Sequence, residues 1–308
     1  MTRWKFQNGK HRKENEHQES KSTVLTQVES MLYKRHQSMK QQCNKTKPET
    51  HPKLDFILVS EKLKMVYCMV PKVASSSWLT VLLTLHMEHP PKDKEVFEIW
   101  NKNVKPPHLT DYSKQDQKRI LSEYFKFMFI RDPLDRLISA WDDKFNHVKL
   151  YFSKRYGRDM IKKYRENPSG EALRTGNKVK LEEMISYVRD IAEIKYADEH
   201  WRPMTDLCDP CAIDYDMYGN FYNIEEESKF VFKNINTNIS NMPFTNAGIH
   251  RKGMKRTSHD YYKTVERNKL IEYYSNISIK KVVKLQNQYK QDYELFSDAF
   301  QFKKLVED

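Results

Sequence analysis

The chain has 308 residues, 38% apolar and 31% charged, with 12 prolines, 7 glycines and a formal charge of +12. An aromatic share of 12% supplies the bulk for a large buried core and excludes wholesale disorder. No run approaches the ~18 consecutive apolar residues of a membrane-spanning helix, and Met1-Thr2-Arg3-Trp4-Lys5-Phe6 opens no signal-peptide apolar core. Residues 1–53 hold 12 Lys/Arg against 5 Asp/Glu, so most of the excess charge lies in the first sixth. A nucleic-acid partner is not expected, because no basic, aromatic-laced recognition module occurs.

Residues 1–53 are Lys-, Gln- and His-rich, with a short helix predicted over Val24–Tyr33 and a linker over Lys47-Pro48-Glu49-Thr50-His51-Pro52. They read as a polar, flexible stem or tail ahead of a folded domain spanning 54–308. From Leu54 the pattern changes. Leu54–Val59 and Met65–Val70 are apolar runs without alternation, as in strands buried on both faces of a parallel sheet. Pro71 ends the second run, and Trp78–Met87 reads as a helix. Phe125–Ile130 is an aromatic, β-favouring run, after which Asp132 makes an N-cap with Pro133 at the first helical position. Leu134, Leu137, Ile138 and Trp141 then give an amphipathic stripe. Strand–loop–helix twice over predicts an α/β fold, a central parallel sheet flanked by helices. Residues 178–197 and the segment after Ser278, with Val282, Leu285, Tyr289, Tyr293 and Phe296 on one face, read as further helices.

Chemistry concentrates at the two strand–helix junctions. In Pro71-Lys72-Val73-Ala74-Ser75-Ser76-Ser77-Trp78, small residues point backbone N–H groups and hydroxyls at a helix N-terminus, which suits a phosphate or sulfate, and Lys72 adds a point charge. A Ser-rich helix cap would look the same. In Arg131-Asp132-Pro133-Leu134-Asp135-Arg136-Leu137-Ile138-Ser139, Arg131 stands at a strand's carboxyl end and Ser139 two turns into the helix, a reasonable phosphate clamp. The bland alternative pairs Arg131 with Asp132 or Asp135 and leaves Ser139 as a packing residue.

Taken together, the two junctions resemble the paired nucleotide-binding motifs of sulfotransferases that use 3′-phosphoadenosine 5′-phosphosulfate. The likeness continues through Asp198-Glu199-His200-Trp201-Arg202-Pro203, Asp206-Leu207-Cys208-Asp209-Pro210-Cys211, Ile213–Asp216, Ile224–Glu227 and Tyr289–Phe296, and covers roughly residues 54–300. It resembles the Golgi carbohydrate sulfotransferases, specifically the branch holding chondroitin and dermatan 4-O-sulfotransferases. The resemblance implies a P-loop-like sulfotransferase fold, with Pro71–Ser77 cradling the 5′-phosphosulfate and Lys72 on the bridging oxygen. It further implies Arg131–Ser139 on the 3′-phosphate, with Arg131 and Ser139 as principal contacts. Ser77 stands where relatives often carry Asn, and Trp141 where Tyr or Phe is usual. The implied acceptor is a glycan hydroxyl, and the implied setting is the Golgi membrane, type II, with a lumenal catalytic domain. Any membrane link would run through an anchor not seen within these 308 residues. No metal is required. A kinase of related α/β fold would need a Walker A loop, which is absent, and a non-catalytic nucleic-acid binder would place its charge in the folded part.

The transfer needs a base beside the acceptor hydroxyl. His200, flanked by Asp198 and Glu199, leads; His108, His86 and His89 are rivals, and His200 bracing Trp201 structurally is the alternative. Cys208-Asp209-Pro210-Cys211 can be a local disulfide, half a zinc site or a redox pair, and a Golgi lumen favours the disulfide. Cys68 reads as a small buried apolar residue, and its pairing with Cys43 stays open. Sequons occur at Asn44, Asn238 and Asn276.

Overall fold

Four strands, β1 (Ile57–Ser60), β2 (Met65–Cys68), β3 (Phe125–Ile130) and β4 (Met217–Asn220), form one sheet in that order. The computed structural model describes residues 16–45, 53–86, 106–243, 268, 270–297 and 300. The predicted linker Lys47–Pro52, Met87 and His89 lie outside them. Around the sheet stand α1 (Glu16–Cys43), α2 (Ser75–His86), α3 (Lys114–Glu123), α4 (Pro133–Trp141), α5 (Leu181–Arg189), α6 (Met204–Cys208), α7 (Pro210–Ile213), α8 (Ile224–Asn234), α9 (Ile279–Gln288) and α10 (Lys290–Leu295).

β2, β3 and β4 run parallel, with Cys68 beside Met128 and Ile130 beside Asn220, and their runs are buried on both faces as the unbroken apolar pattern requires. β1 pairs antiparallel with β2, because only Glu61–Lys64 separates them and a parallel return needs a long crossover. Parallel pairing brings the carboxyl ends of β2 and β3, and the loops that follow them, side by side. Trp78 pins α2 to the sheet, its ring 4.8 Å from Phe127 and 5.3 Å from Phe129. At the other junction Asp132 caps α4, accepting from the Leu134 and Asp135 amides, with Pro133 opening the helix as predicted. The hydrophobic face of α4 packs into a second core with Met184, Ile185, Trp201 and Leu285. The predicted helix over 178–197 is α5 with a short 3-10 turn at Ile194–Tyr196, and the helix after Ser278 breaks at Tyr289 into α9 and α10.

Two expectations are corrected. The short helix over Val24–Tyr33 is the 28-residue α1, and its second half docks on the sheet rather than standing apart as a stem. Leu32 and Met39 are buried, and the Arg35 guanidinium donates to Glu227 at 2.8 Å inside the protein. The Tyr218 hydroxyl donates to the Arg35 carbonyl, and Lys40 meets Asp214 at 3.1 Å. The packing therefore does not divide at 53/54. Nor do Cys208 and Cys211 pair with each other: the disulfides are Cys43–Cys211 and Cys68–Cys208. Asp209, in the left-handed region at φ 39°, breaks α6 from α7 and turns the two sulfurs to different partners, so Cys68 is a bridge residue rather than a free apolar one. Each bridge spans well over a hundred residues, which the chain-entropy account values at roughly 5 kcal/mol.

Removing one partner of a buried ion pair strands the other charge. Arg35→Ala is expected to lower unfolding free energy by ~3–5 kcal/mol in urea titration, and adding Glu227→Gln to recover part of it. A chain beginning at Leu54 loses Arg35 and Cys43 together and is expected to melt well below the full chain.

Candidate active site

The loop after β2 is tight. Lys72 and Ala74 both take left-handed backbone, at φ 70° and 57°, at a cost of order 1 kcal/mol or more each. The strain turns the chain so that Ser75, Ser76 and Ser77 form the first turn of α2, whose leading amides have no intrahelical acceptor. Pro71 and Val73 are buried beneath, while Lys72, Ala74, Ser75 and Ser76 stay partly exposed.

Two arginines of the second junction hold this loop. Arg131 grips Asp135 with two bonds, 2.6 and 3.0 Å, and donates to the Lys72 carbonyl at 3.0 Å, its guanidinium 4.4 Å over the Phe221 ring. Tyr222 also donates to Asp135. Arg136 is 1% exposed and donates to the carbonyls of Pro71 (2.9 Å), Glu199 (2.6 Å) and Arg202 (2.6 Å). It thereby joins three segments that sequence motifs placed separately: both junctions and the stretch carrying His200. The guanidinium of Arg136 is built into the framework; Leu134, Leu137 and Ile138 likewise face the second core, and Ser139 lies half-buried on the same helix. The Arg131–Asp135 pairing weighed from sequence is present together with the contact to the Lys72 loop.

Past α4 the helix widens into a π turn, Asp142–Asn146, a departure that clusters at functional sites. The turn delivers Asp143 to Lys72 at 3.0 Å and sets Lys144 3.1 Å from the same oxygen. Burial lowers the Lys72 ammonium below its ordinary range, with Asp143 opposing and Lys144 and Arg131 adding to the fall. Burial pushes the Asp143 carboxyl up, but the two lysines outweigh it and hold it at about 2. Lys144 sits 4.7 Å over the Phe152 ring, and Phe152 meets the His200 ring edge-on at 5.3 Å. His200 Nδ1 lies 2.7 Å from Asp198 Oδ1 and 3.6 Å from Glu199, and Tyr156 donates to the other Asp198 oxygen. Burial works against ionised Asp198, but its bonds to His200 and Tyr156 prevail and keep its carboxyl below the usual range.

Of the rival histidines, His86 bonds Ser60 and the Leu82 carbonyl at the far end of α2, a dozen residues or ~17 Å along the helix from the loop. His108 bridges Leu58 on β1, one strand outside the junction. Asp143, Lys144, Tyr156, Phe221 and Tyr222 were not singled out from sequence. Only the Asp142-Asp143-Lys144 charge run hinted at them.

Comparison with known proteins decides the family. The sulfotransferase family profile matches residues 55–300. The chain belongs to the sulfotransferase family. It is similar to carbohydrate sulfotransferase 11 of Rattus norvegicus, 36% identical over 58% of this chain and 53% of the relative. It is also similar to carbohydrate sulfotransferase 14 of Danio rerio, 31% identical over 79% and 62% respectively. For carbohydrate sulfotransferase 9 of Homo sapiens the figures are 35%, 65% and 47%. The matched region thus spans about half the length of these curated relatives. No solved structure matches the chain.

Asp132, wholly buried at the helix cap, has its carboxyl pushed up to about 7, by burial first and then by the charge of Asp135. In the folded state it keeps its proton where the unfolded chain, with its ordinary 3.8, has lost it. Stability from this group is therefore largest at low pH and drains away as pH rises from about 4 to about 7. Asp132→Asn keeps the capping oxygen and is expected to flatten that part of the melting-temperature profile. Asp292, raised to about 6 by its own burial, supplies a residual slope of the same sign.

Proposed function

We propose that this sulfotransferase moves a sulfuryl group from 3′-phosphoadenosine 5′-phosphosulfate to a hydroxyl of a glycan, chondroitin- or dermatan-like or another terminal sugar. The observation that carries the reading is the Arg136 clamp, which gathers the Lys72 loop, the Arg131 junction and the His200 segment at one end of the sheet. The donor set fits a bis-anionic nucleotide: an ammonium, a guanidinium and the open amides of a helix start. When bound, the nucleotide supplies the electrophilic sulfur. On this reading Ser75–Ser77 and Lys72 hold the 5′ side, and Arg131 and Ser139 the 3′-phosphate. Arg131 is stiffened for that task by Asp135 and Phe221. Lys72 places positive charge where a phosphate oxygen gains negative charge.

His200 takes the acceptor's proton. With Nδ1 donating to the Asp198 carboxylate, Nε2 is the basic nitrogen, and the imidazolium formed is steadied by Asp198 and Glu199. Asp143, held at about 2, is too weak a base to compete. The setting we propose rests on the chemistry of the cysteines. Two long-range disulfides call for an oxidising compartment, consistent with a lumenal domain in the Golgi, and among the described residues no helix is long and apolar enough to cross a membrane.

The test is labelled-sulfate transfer across a panel of desulfated glycans, alongside calorimetric binding of 3′-phosphoadenosine 5′-phosphate. Lys72→Ala is expected to cut turnover by ~10²–10³-fold with a small change in nucleotide affinity. His200→Ala is expected to cost ~10²–10⁴-fold in turnover while nucleotide affinity and melting temperature hold. A His200 variant that melts early and loses binding and turnover together would make it a brace for Trp201 instead. A wild-type protein that neither binds the bisphosphate nor transfers sulfate to any glycan would overturn the function.

A further inference from the structure

We propose that Asp143 is a positioning residue that holds the Lys72 ammonium in its donor-free place and is displaced from it when the anionic donor arrives. The inference rests on the nucleotide-site reading above and concerns a residue outside both sequence motifs. Lys72 Nζ is 3.0 Å from Asp143 Oδ2, and the lysine side chain is 18% exposed, so this carboxylate is its close counter-ion. A buried ammonium crowded by Lys144 and Arg131 needs such a partner. The same ammonium cannot give its full charge to Asp143 and to an incoming 5′-phosphosulfate at once, so ligand and carboxylate compete for it.

Lys144 makes the exchange workable. Its Nζ is 3.1 Å from the same Asp143 oxygen, and it is fixed over the Phe152 ring. Asp143 therefore keeps a cation when Lys72 leaves, and neither strands a bare charge nor repels the ligand at full strength. The left-handed backbone of Lys72, tied through its carbonyl to Arg131, holds the main chain still while the flexible four-carbon stem carries the charge across. This competition also accounts for the small affinity change expected of Lys72→Ala, since a ligand gains from Lys72 only the surplus over the Asp143 pair.

The exchange predicts an affinity change confined to ligands bearing a 5′ anion. Binding of 3′-phosphoadenosine 5′-phosphate and of adenosine 3′-phosphate is measured by calorimetry on the full chain with Asp143→Asn and Asp143→Ser. Mildly acidic buffer keeps an ammonium deprived of its carboxylate protonated, and each variant's melting temperature is recorded. The bisphosphate is expected to bind ~3- to 30-fold tighter to either folded variant, adenosine 3′-phosphate within about twofold of wild type, and most of the gain to vanish when Lys72→Ala is added. Unchanged or weaker bisphosphate binding, an equal gain for both ligands, or failure of both variants to fold would overturn the proposal. Wild-type protein that binds neither nucleotide would overturn the site reading itself, and this inference with it.

Discussion

One buried cation organises this end of the molecule. Arg136 lies wholly inside and, from its own helix, donates to three carbonyl oxygens on two other segments, Pro71 before the Lys72 loop and Glu199 and Arg202 in the His200 stretch. Burial brings its guanidinium down to about 10, with Tyr289 and Asp292 opposing the fall, so the charge survives at neutral pH. Carbonyl dipoles pay for part of its desolvation, and the planar fork fixes the angles at which the three segments meet. A lysine could not do this with one nitrogen. The fork ties the Lys72 loop to the His200 stretch, and Arg131, Asp143 and Asp198 then fix the side chains on either side of it.

The sheet supplies the rest. Parallel pairing of β2 and β3 sets both junctions at one edge, and the left-handed Lys72 and Ala74 bend the chain sharply enough to start α2 there. Charge is then balanced locally rather than by bulk solvent. Arg131 is matched by Asp135, and Lys72 and Lys144 share Asp143. On the proposed reading, the site that receives the anionic donor carries its own exchangeable anion in Asp143.

Much of this was legible in the sequence, and the limits have physical causes. β3 and α4 are plain in the sequence because a continuous aromatic run, an Asp-Pro cap and a clean 3.6-residue stripe all agree. The places of the Lys72 loop and Arg131 are legible as the ends of the apolar runs that precede them, whereas their roles belong to the proposal. The sequence shows only part of α1, because its docking face mixes Leu32 and Met39 with buried Arg35 and His36 and apolar periodicity fades where an ion pair replaces a methyl contact. β4 reads Met217-Tyr218-Gly219-Asn220, and its glycine, pressed against Phe129, and its closing asparagine leave no apolar run to signal a strand. Asp143 was hidden because a π turn shifts the angular position of each residue, and no 3.6-residue wheel aims it at Lys72. The disulfides escaped because pairing is decided by the left-handed Asp209, a backbone state that sequence spacing does not report.

Both bridges end in the stretch from Cys208 to Cys211, and that has a bearing on how the chain is made. Cys43 leaves the ribosome 168 residues ahead of its partner, and Cys68 leaves 140 ahead of its own. At about 5–20 residues per second, the early thiols stay unmatched for roughly ten to thirty seconds. During that interval Cys43 and Cys68 can reach each other, and a bridge between them would have to be undone. The biosynthetic compartment must therefore either shield the two early sulfurs or reshuffle them once the late pair emerges. Native pairing waits on a short segment in the second half of the chain.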